Sequence, residues 1–456
     1  MPQEDLVILG GGSGGYACAL RAAELGMSVI LIDKDKLGGT CLHRGCIPTK
    51  ALLHAAEVAD SARESEAFGV NATLGGIDMP KVNEYRDGVV GRLYKGLQGL
   101  VKSRNVTFVE GVGRLVSPNT VEVNGEKYTG TNVVLATGSY AKSLPGLDIG
   151  GRIMTSDQAL NLDYVPASVI VLGGGVIGVE FASVWKSFGA DVTIVEGLPH
   201  LVPNEDEACS KALERAYRKR GINFSLGVRF ASATQDANGV TVTLEDGTTL
   251  TADLLLVAVG RGPNTANMGY EEQGIAMERG WVLVDDRLRT NVPGIFAVGD
   301  ITPGLQLAHR GFQHGIFVAE EIAGLNPVVI ADVNIPRVTY CEPEVASVGL
   351  TEAEAKAQHG ADAVTSYEYN LGGNGKSQIL GTTGFIKLVQ LKDGPVVGIH
   401  MVGSRVGEQI GEAQLIVNWE AHPEDVASLI HAHPTQNEAM GEAHLALAGK
   451  PLHAHA

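Results

Sequence analysis

Leu6-Val7-Ile8-Leu9-Gly10-Gly11-Gly12-Ser13-Gly14-Gly15 and, further along the chain, Val169-Ile170-Val171-Leu172-Gly173-Gly174-Gly175-Val176-Ile177-Gly178 are two copies of one device. In each, a short apolar run predicts a buried parallel strand, and the glycines predict a loop that opens a helix. The next apolar run, residues 28–32 or 191–195, ends at an acid, Asp33 or Glu196. Each acid stands 23 positions after the first glycine of its loop (10 to 33 and 173 to 196). One Gly-x-Gly-x-x-Gly is a weak signal, but strand, glycines, helix, strand and acid in one register, twice, is a dinucleotide-binding fingerprint. Gly10, Gly12 and Gly15, like Gly173, Gly175 and Gly178, let the backbone approach a pyrophosphate. The helix N-terminus favours its negative charge, and the acid accepts hydrogen bonds from ribose hydroxyls. The expected fold is α/β with two Rossmann-like dinucleotide-binding units.

The repeat continues. Asn124-Gly125 and Asp246-Gly247 predict hairpin turns between alternating strands. Thirteen residues after each of those glycines an apolar strand ends in another glycine, Gly138 after Thr137 and Gly260 after Val259 (125 to 138 and 247 to 260). Between terminal acid and hairpin glycine the first copy spends 92 residues (33 to 125) and the second 51 (196 to 247), so the first carries 41 more. A later block, Ile295-Phe296-Ala297-Val298-Gly299-Asp300, reads as a buried strand ending in an exposed acid. Beyond about residue 335 the pattern becomes strands and turns, with helices expected at 352–358, 408–419 and 434–448. That is a third, α+β unit without a nucleotide loop.

The longer stretch of the first copy holds Gly39-Thr40-Cys41-Leu42-His43-Arg44-Gly45-Cys46-Ile47-Pro48-Thr49-Lys50. On a regular helix the two cysteine Cα atoms would lie about 8.6 Å apart, whereas a disulfide needs roughly 4.4–6.8 Å. If they pair, the backbone between them is irregular; Gly45 permits this, and Pro48 opposes a regular turn reaching back to Arg44. A bridge closing so small a loop is reducible. The residues also leave open a zinc site with His43, although no fourth ligand or second cysteine pair stands near, and no metal is expected. Lys50, four residues after Cys46, is a helix-surface cation that would favour a thiolate. Cys18 on the first helix reads as packing, and Cys209 and Cys341 lack a close partner. His433 is set apart from the other histidines by Pro434, which fixes a turn at a helix start, and by Glu438, close enough to orient an imidazole as a general base. His444, His453 and His455 read as part of a mobile terminal tail.

The 456-residue length suggests about three domains. The net charge is −17, and the only basic cluster, Arg215 to Arg220, reads as a solvated helix face, so nucleic acid is not an expected partner. No apolar run is long enough to span a bilayer, no signal peptide precedes the first strand, and five cysteines in a chain of this length fit a cytoplasmic protein. In that compartment a close cysteine pair is more often catalytic or metal-binding than structural.

The cysteine block, the second loop extended to Glu180, Gly299-Asp300, Leu307-Ala308-His309, Pro343-Glu344-Val345-Ala346-Ser347-Val348-Gly349 and His431-Ala432-His433-Pro434-Thr435-Gln436-Asn437-Glu438 together resemble the pyridine nucleotide–disulfide oxidoreductases over essentially the whole chain. The resemblance implies an FAD-binding domain with a redox disulfide at 1–147, an NAD-binding domain at 148–270, a central segment completing the FAD site at 271–335, and an interface domain at 336–456. It implies that Gly10, Gly12, Gly15, Asp33, Thr40, Lys50, Gly113, Thr137, Gly138, Asp300 and Ala308 hold FAD. Gly173, Gly175, Gly178, Glu180, Glu196 and Gly260 would hold NAD, with Lys50 and Glu180 paired beside the flavin ring. It further implies a Cys41–Cys46 disulfide with Cys46 on the flavin side, and His433 with Glu438 as a base dyad that reaches the other subunit of a homodimer. The activity implied is oxidation of protein-bound dihydrolipoamide with reduction of NAD⁺, and the partners implied are lipoyl domains and the E2 subunit of 2-oxo acid dehydrogenase complexes. Asp33 and His43 stand where many members have Glu and Asn, Thr49 where many have Ser, and Gln313-His314 where an acid is common. A related NADPH-dependent disulfide reductase would carry arginines after the second copy's acid, but Gly197-Leu198-Pro199 follow Glu196. A redox-silent FAD-binding scaffold would not need Cys41, Cys46, His433 and Glu438 together.

Overall fold

The computed structural model describes residues 3–454. The two glycine-loop repeats fold as two parallel sheets of the same plan. In the first, strands Thr107–Glu110, Val29–Asp33, Glu4–Leu9 and the C-terminal half of Glu126–Leu135 lie side by side, with Ile295–Ala297 added parallel to Val133–Leu135. In the second, Asn223–Leu226, Asp191–Glu196, Ser168–Leu172, Leu254–Val257 and Ile153–Thr155 are all parallel. The glycine-loop strand is flanked on both sides, so its runs of Val, Ile and Leu are buried on both faces. Each loop leaves the C-terminal end of that strand where the chain order reverses, the usual ligand crevice of an open α/β sheet.

The equivalence extends to single hydrogen bonds. Gly10 N–H donates to Ile32 O (2.7 Å) and Gly173 N–H to Val195 O (2.8 Å). Ala136 N–H donates to Leu9 O (2.8 Å) and Ala258 N–H to Leu172 O (2.8 Å). Both copies carry an antiparallel meander: Gly113–Ser117, Thr120–Val123 and the start of Glu126–Leu135 in one, Phe230–Gln235, Val240–Leu244 and Thr249–Ala252 in the other. Asn124-Gly125 is a two-residue turn with both φ angles positive (52° and 85°). At Asp246-Gly247 the loop is wider than that, since Val240–Leu244 ends before Glu245 and Thr249–Ala252 begins after Thr248.

The extra residues of the first copy fold into helices Gly39–Arg44, Cys46–Glu64 and Met79–Ser103. The central segment contributes helix Ala308–Ile322, which packs along Ser13–Glu24 where glycines let the backbones touch. A Cβ on Gly315 would lie 2.2 Å from Gly14 O. The third unit is a five-stranded antiparallel sheet in the order Arg337–Thr339, Glu344–Gly349, Val396–Gly403, Phe385–Leu391, Val364–Asn370. Cys341, Val345, Phe385 and Val402 of this sheet region share a core with Leu52 and Ala56 of the cysteine helix and Phe181 and Trp185 of the second unit. The three units therefore meet beside the cysteines.

Two expectations are corrected by the fold. The last helix begins at Glu438 and not at Pro434, because residues 434–437 form a turn in which Thr435 N–H donates to the Glu438 carboxylate (2.7 Å). The final histidines are not a free tail: His444 is fully buried in that helix, and His453 pairs with Glu442 at 2.9 Å. His455 lies outside the described residues.

Candidate functional site

Both glycine loops present bare helix ends. Gly10 and Gly173 hold φ of +113° and +110°, and a Cβ on either would collide with a neighbouring carbonyl, at 2.1 and 2.4 Å. A Cβ on Gly15 would lie 1.7 Å from Gly10 O, and one on Gly178 would lie 1.9 Å from Gly173 O, so these glycines allow the helix to sit on its strand. Gly12 and Gly175 differ: their Cβ positions are open, the nearest atom to Gly12 being 3.9 Å away and none lying within 4 Å of Gly175. Each is the N-cap of its helix with no side-chain cap, leaving backbone N–H groups free for an anion. This cradle fits a dinucleotide pyrophosphate. The acids are set by the same pair of bonds in both copies. Asp33 accepts from Gly11 N–H (2.5 Å) and Asp35 N–H (2.9 Å), and Glu196 accepts from Gly174 N–H (2.7 Å) and Leu198 N–H (2.8 Å).

Asp33, Gly10, Gly113 and Thr137 line one groove at the end of the first sheet. Gly113 is there for packing as well, since a Cβ would meet Leu9 at 2.5 Å. Gly138 and Gly260, at φ +72° and +98°, precede strands Ser139–Ala141 and Arg261–Pro263, which pair with each other. Asp300 accepts from Ser139 Oγ (2.6 Å), and Ser139 Oγ in turn accepts from Arg261 Nε (2.7 Å). Ala308 opens its helix without a side-chain cap.

The cysteine block abuts the first loop: a Cβ on Gly39 would come within 2.7 Å of Gly12 Cα, and Thr40 is the next residue. Gly45, at φ −143° and ψ −113°, breaks the two helices apart between the cysteines, while Pro48 is accommodated in the first turn of the second helix. Both cysteines are free thiols within hydrogen-bonding reach. The hydrogen bond from Cys41 lowers the Cys46 pKa; burial opposes this and the Lys50 charge assists it. The same hydrogen bond, followed by burial, pushes Cys41 up. In the reduced pair the negative charge is therefore favoured on Cys46 and disfavoured on Cys41.

Lys50 Nζ donates to both oxygens of Glu180, each at 2.8 Å, although the two residues come from different units. Burial works against the ammonium, yet the buried Glu180 carboxylate more than offsets it and holds Lys50 above its ordinary value. The Tyr340 ring from the third unit covers Lys50 Nζ at 4.7 Å, and Tyr340 N–H donates to Glu180 (2.9 Å). His43 turns to Leu37 O (2.8 Å), and no three His, Cys, Asp or Glu side chains among the described residues cluster as metal ligands.

His433 Nδ1 lies 2.8 Å from Glu438 Oε1, and the His433–Pro434 bond is cis. The imidazole is 78% exposed in the single chain and is joined to Glu438, not to Cys41 or Cys46.

Residues 4–315 match the pyridine nucleotide-disulphide oxidoreductase family, and residues 335–444 match its dimerisation domain. The chain belongs to this family. Among similar members, a dihydrolipoyl dehydrogenase of Bacillus subtilis is 40% identical over 98% of this chain and 99% of its own length, and a mitochondrial one of Arabidopsis thaliana is 38% identical over 99% and 92%. The solved structure of LpdA from Mycobacterium tuberculosis superimposes with a TM-score of 0.90 at 28% identity, covering 97% of this chain and 99% of that one. The HOCl-induced flavoprotein disulfide reductase RclA of Escherichia coli gives 0.88 at 26% identity, covering 98% and 100%.

Within this family member, several site residues escape the sequence. Tyr340 and Arg261 are brought in by contacts between units, and nothing in their neighbourhoods predicts that. His314, fully buried, accepts from Gly299 N–H (3.3 Å), and burial pushes its pKa down to about 4, so it is a neutral acceptor beside Asp300. Gly311 and Gly315 did carry a signal: two glycines four apart in a helix share one face and invite a close neighbour.

Proposed function

We propose that this chain is a homodimeric dihydrolipoyl dehydrogenase, which oxidises protein-bound dihydrolipoamide through the Cys41–Cys46 pair and reduces NAD⁺. The observation that carries the reading is the polarised cysteine pair. Its two thiols are shifted in opposite directions, the Lys50 charge favours the thiolate on Cys46, and the pair abuts the first glycine loop. Residues 1–147 with 271–335 would form the FAD unit, 148–270 the NAD unit and 336–456 the subunit interface.

Gly10, Gly12, Gly15, Asp33, Thr40, Lys50, Gly113, Thr137, Gly138, Asp300 and Ala308 would hold FAD. Gly173, Gly175, Gly178, Glu180, Glu196 and Gly260 would hold NAD. FAD, when bound, carries the two electrons of the reduced pair to NAD⁺. The chain's own residues do the thiol chemistry. His433 of one subunit, held in orientation by Glu438, takes the proton of a substrate thiol. The substrate sulfur attacks Cys41 Sγ of the disulfide, the S–S bond breaks, and Cys46 leaves as a thiolate stabilised by Lys50. The second substrate thiol displaces Cys41, its proton passing to the departing Cys41 sulfur, and closes the lipoyl ring, leaving a Cys41 thiol beside a Cys46 thiolate. Lys50 in turn keeps the buried Glu180 carboxylate from being an unpaired charge.

The substrate arm would be presented by lipoyl domains, with the E2 subunit of a 2-oxo acid dehydrogenase complex as partner. A cytoplasmic location accords with a thiol pair that must be reduced and reoxidised at each turnover; no helix of the described residues is long and apolar enough to cross a membrane. The test is NADH formation from dihydrolipoamide, measured beside NADPH-dependent reduction of glutathione disulfide. The first is expected to exceed the second by orders of magnitude, and the reverse ranking would overturn the assignment.

A further inference from the structure

Val202 is buried and holds φ at +42°, a region open to glycine and costly for a β-branched side chain. It lies between strand Asp191–Glu196 and helix Glu207–Arg220, beside the second glycine loop. Its N–H donates to Gly174 O (2.8 Å), and the preceding Leu201 braces the same glycine: a Cβ there would meet Leu201 Cδ2 at 2.7 Å. The first copy makes the equivalent contacts, with a wider positive φ. Gly38 N–H donates to Gly11 O (2.9 Å), Leu37 Cδ2 would lie 3.2 Å from a Cβ on Gly11, and Gly38 has φ +104°. One copy thus uses a glycine where the other holds a valine against its preference.

The structure also shows what holds it. Glu205 N–H donates to Val202 O (2.9 Å), and the neighbouring Asp206 is buried and fully used. Asp206 accepts from Ala208 N–H (3.0 Å), from Glu352 N–H (3.1 Å) and from Lys387 Nζ (2.8 Å). Lys387 also contacts Glu352 at 2.8 Å, and Arg337 reaches Glu205 at 3.3 Å. Arg337, Glu352 and Lys387 all belong to the third unit, so the turn is bolted to the interface sheet at one end and presses on the glycine loop at the other.

We propose that the Val202 turn, clamped by the Asp206–Lys387 pair, positions the Gly174 segment for the nicotinamide dinucleotide. Asp206 and Lys387 are then positioning residues that set NAD(H) affinity from the interface unit through Val202. The inference rests on the reading that the second loop takes NAD. Valine leaves the turn only as well defined as its clamp; glycine at that position adopts it unaided.

NADH binding to the FAD-loaded dimer, followed by nucleotide fluorescence, tests this, with thermal melting recorded alongside. Lys387→Met and Asp206→Asn are each expected to weaken NADH binding about tenfold, equivalent to about 1.4 kcal/mol. Adding Val202→Gly to either variant is expected to restore affinity to within about threefold of wild type, although the buried pair stays broken and the melting temperature stays lowered. A purely structural role for the pair predicts no such rescue. Single variants that bind NADH as wild type does, or double variants that are not rescued, overturn the proposal. Should Lys387→Met not fold, Asp206→Asn with and without Val202→Gly separates the same two outcomes. A wild-type enzyme that does not bind NADH would overturn the reading of the second loop itself, and this inference with it.

Discussion

The polarised cysteine pair makes a quantitative demand on one substitution. Cys46 is held below the ordinary thiol value, and the first cause is the hydrogen bond from Cys41. With the value lowered, the thiolate persists below the pH at which an ordinary thiol is protonated, and it is lost as pH falls through the lowered value. At neutral pH a larger share of Cys46 is thiolate than of an ordinary thiol, which is about 1% ionised there. Cys41→Ala removes a hydrogen bond to the charged form, worth about 1.5 kcal/mol or more, and leaves burial, which opposes the charge, so the midpoint is expected to rise by about one unit or more and the thiolate fraction at neutral pH to fall about tenfold. Lys50→Met is expected to move it in the same direction by less, since the Lys50 charge is a smaller cause than either. The assay is thiolate absorbance in the far ultraviolet of the dithiol-reduced protein, followed from mildly acidic to alkaline pH, with Cys46→Ala as baseline. Cys46→Ala should itself leave Cys41 titrating lower than in the pair, because the neighbour that raises it has gone. A Cys41→Ala protein that keeps the wild-type midpoint would refute the reasoning, and a low midpoint retained instead by Cys46→Ala would exchange the roles of the two sulfurs.

Gly12→Ala is expected to leave the melting temperature nearly unchanged while emptying the first site of FAD, because its Cβ meets only Gly39 Cα, at 3.9 Å, and would enter the cradle proposed for the pyrophosphate. Gly15→Ala, with a Cβ 1.7 Å from a carbonyl oxygen, is expected to destabilise the fold by about 1–3 kcal/mol; equal melting of the two variants would contradict this division of labour. Wild type should prefer NAD over NADP in kcat/KM, and Glu196→Ser should erase roughly tenfold or more of that preference, because it removes a carboxylate that repels a 2′-phosphate and also the acceptor for Gly174 and Leu198 N–H. Equal kcat/KM for the two nucleotides in wild type would count against the assignment of the second loop. His433→Gln and Cys41→Ser homodimers should each lose dihydrolipoamide oxidation by about 10²-fold or more. The heterodimer of the two should regain one intact site, and no recovery after verified subunit exchange would mean that each chain completes its own site.

What the sequence made legible was whatever repeats or is local. The two glycine loops pointed to two parallel sheets, and their registers agree down to the paired bonds of Gly10 with Ile32 and Gly173 with Val195. The irregular backbone expected at Gly45 is there because a residue without a Cβ stands between two helices that could not otherwise bring their cysteines together. Pro48, expected to disrupt, sits in a first turn where its missing N–H costs nothing. His444 was misplaced because a few polar residues near a terminus look solvated when the packing partner is a distant sheet. Tyr340, Arg261 and the Asp206–Lys387 clamp stayed hidden for one physical reason: each acts across a junction between units, and neither spacing nor periodicity encodes which surfaces dock. Comparing the two copies recovers part of that information. Gly38 and Val202 make the equivalent bond to their glycine loops, and their difference points to the turn that the third unit's Lys387 holds through Asp206. In that way a backbone preference legible in one residue type becomes evidence for a contact that the sequence alone could not place.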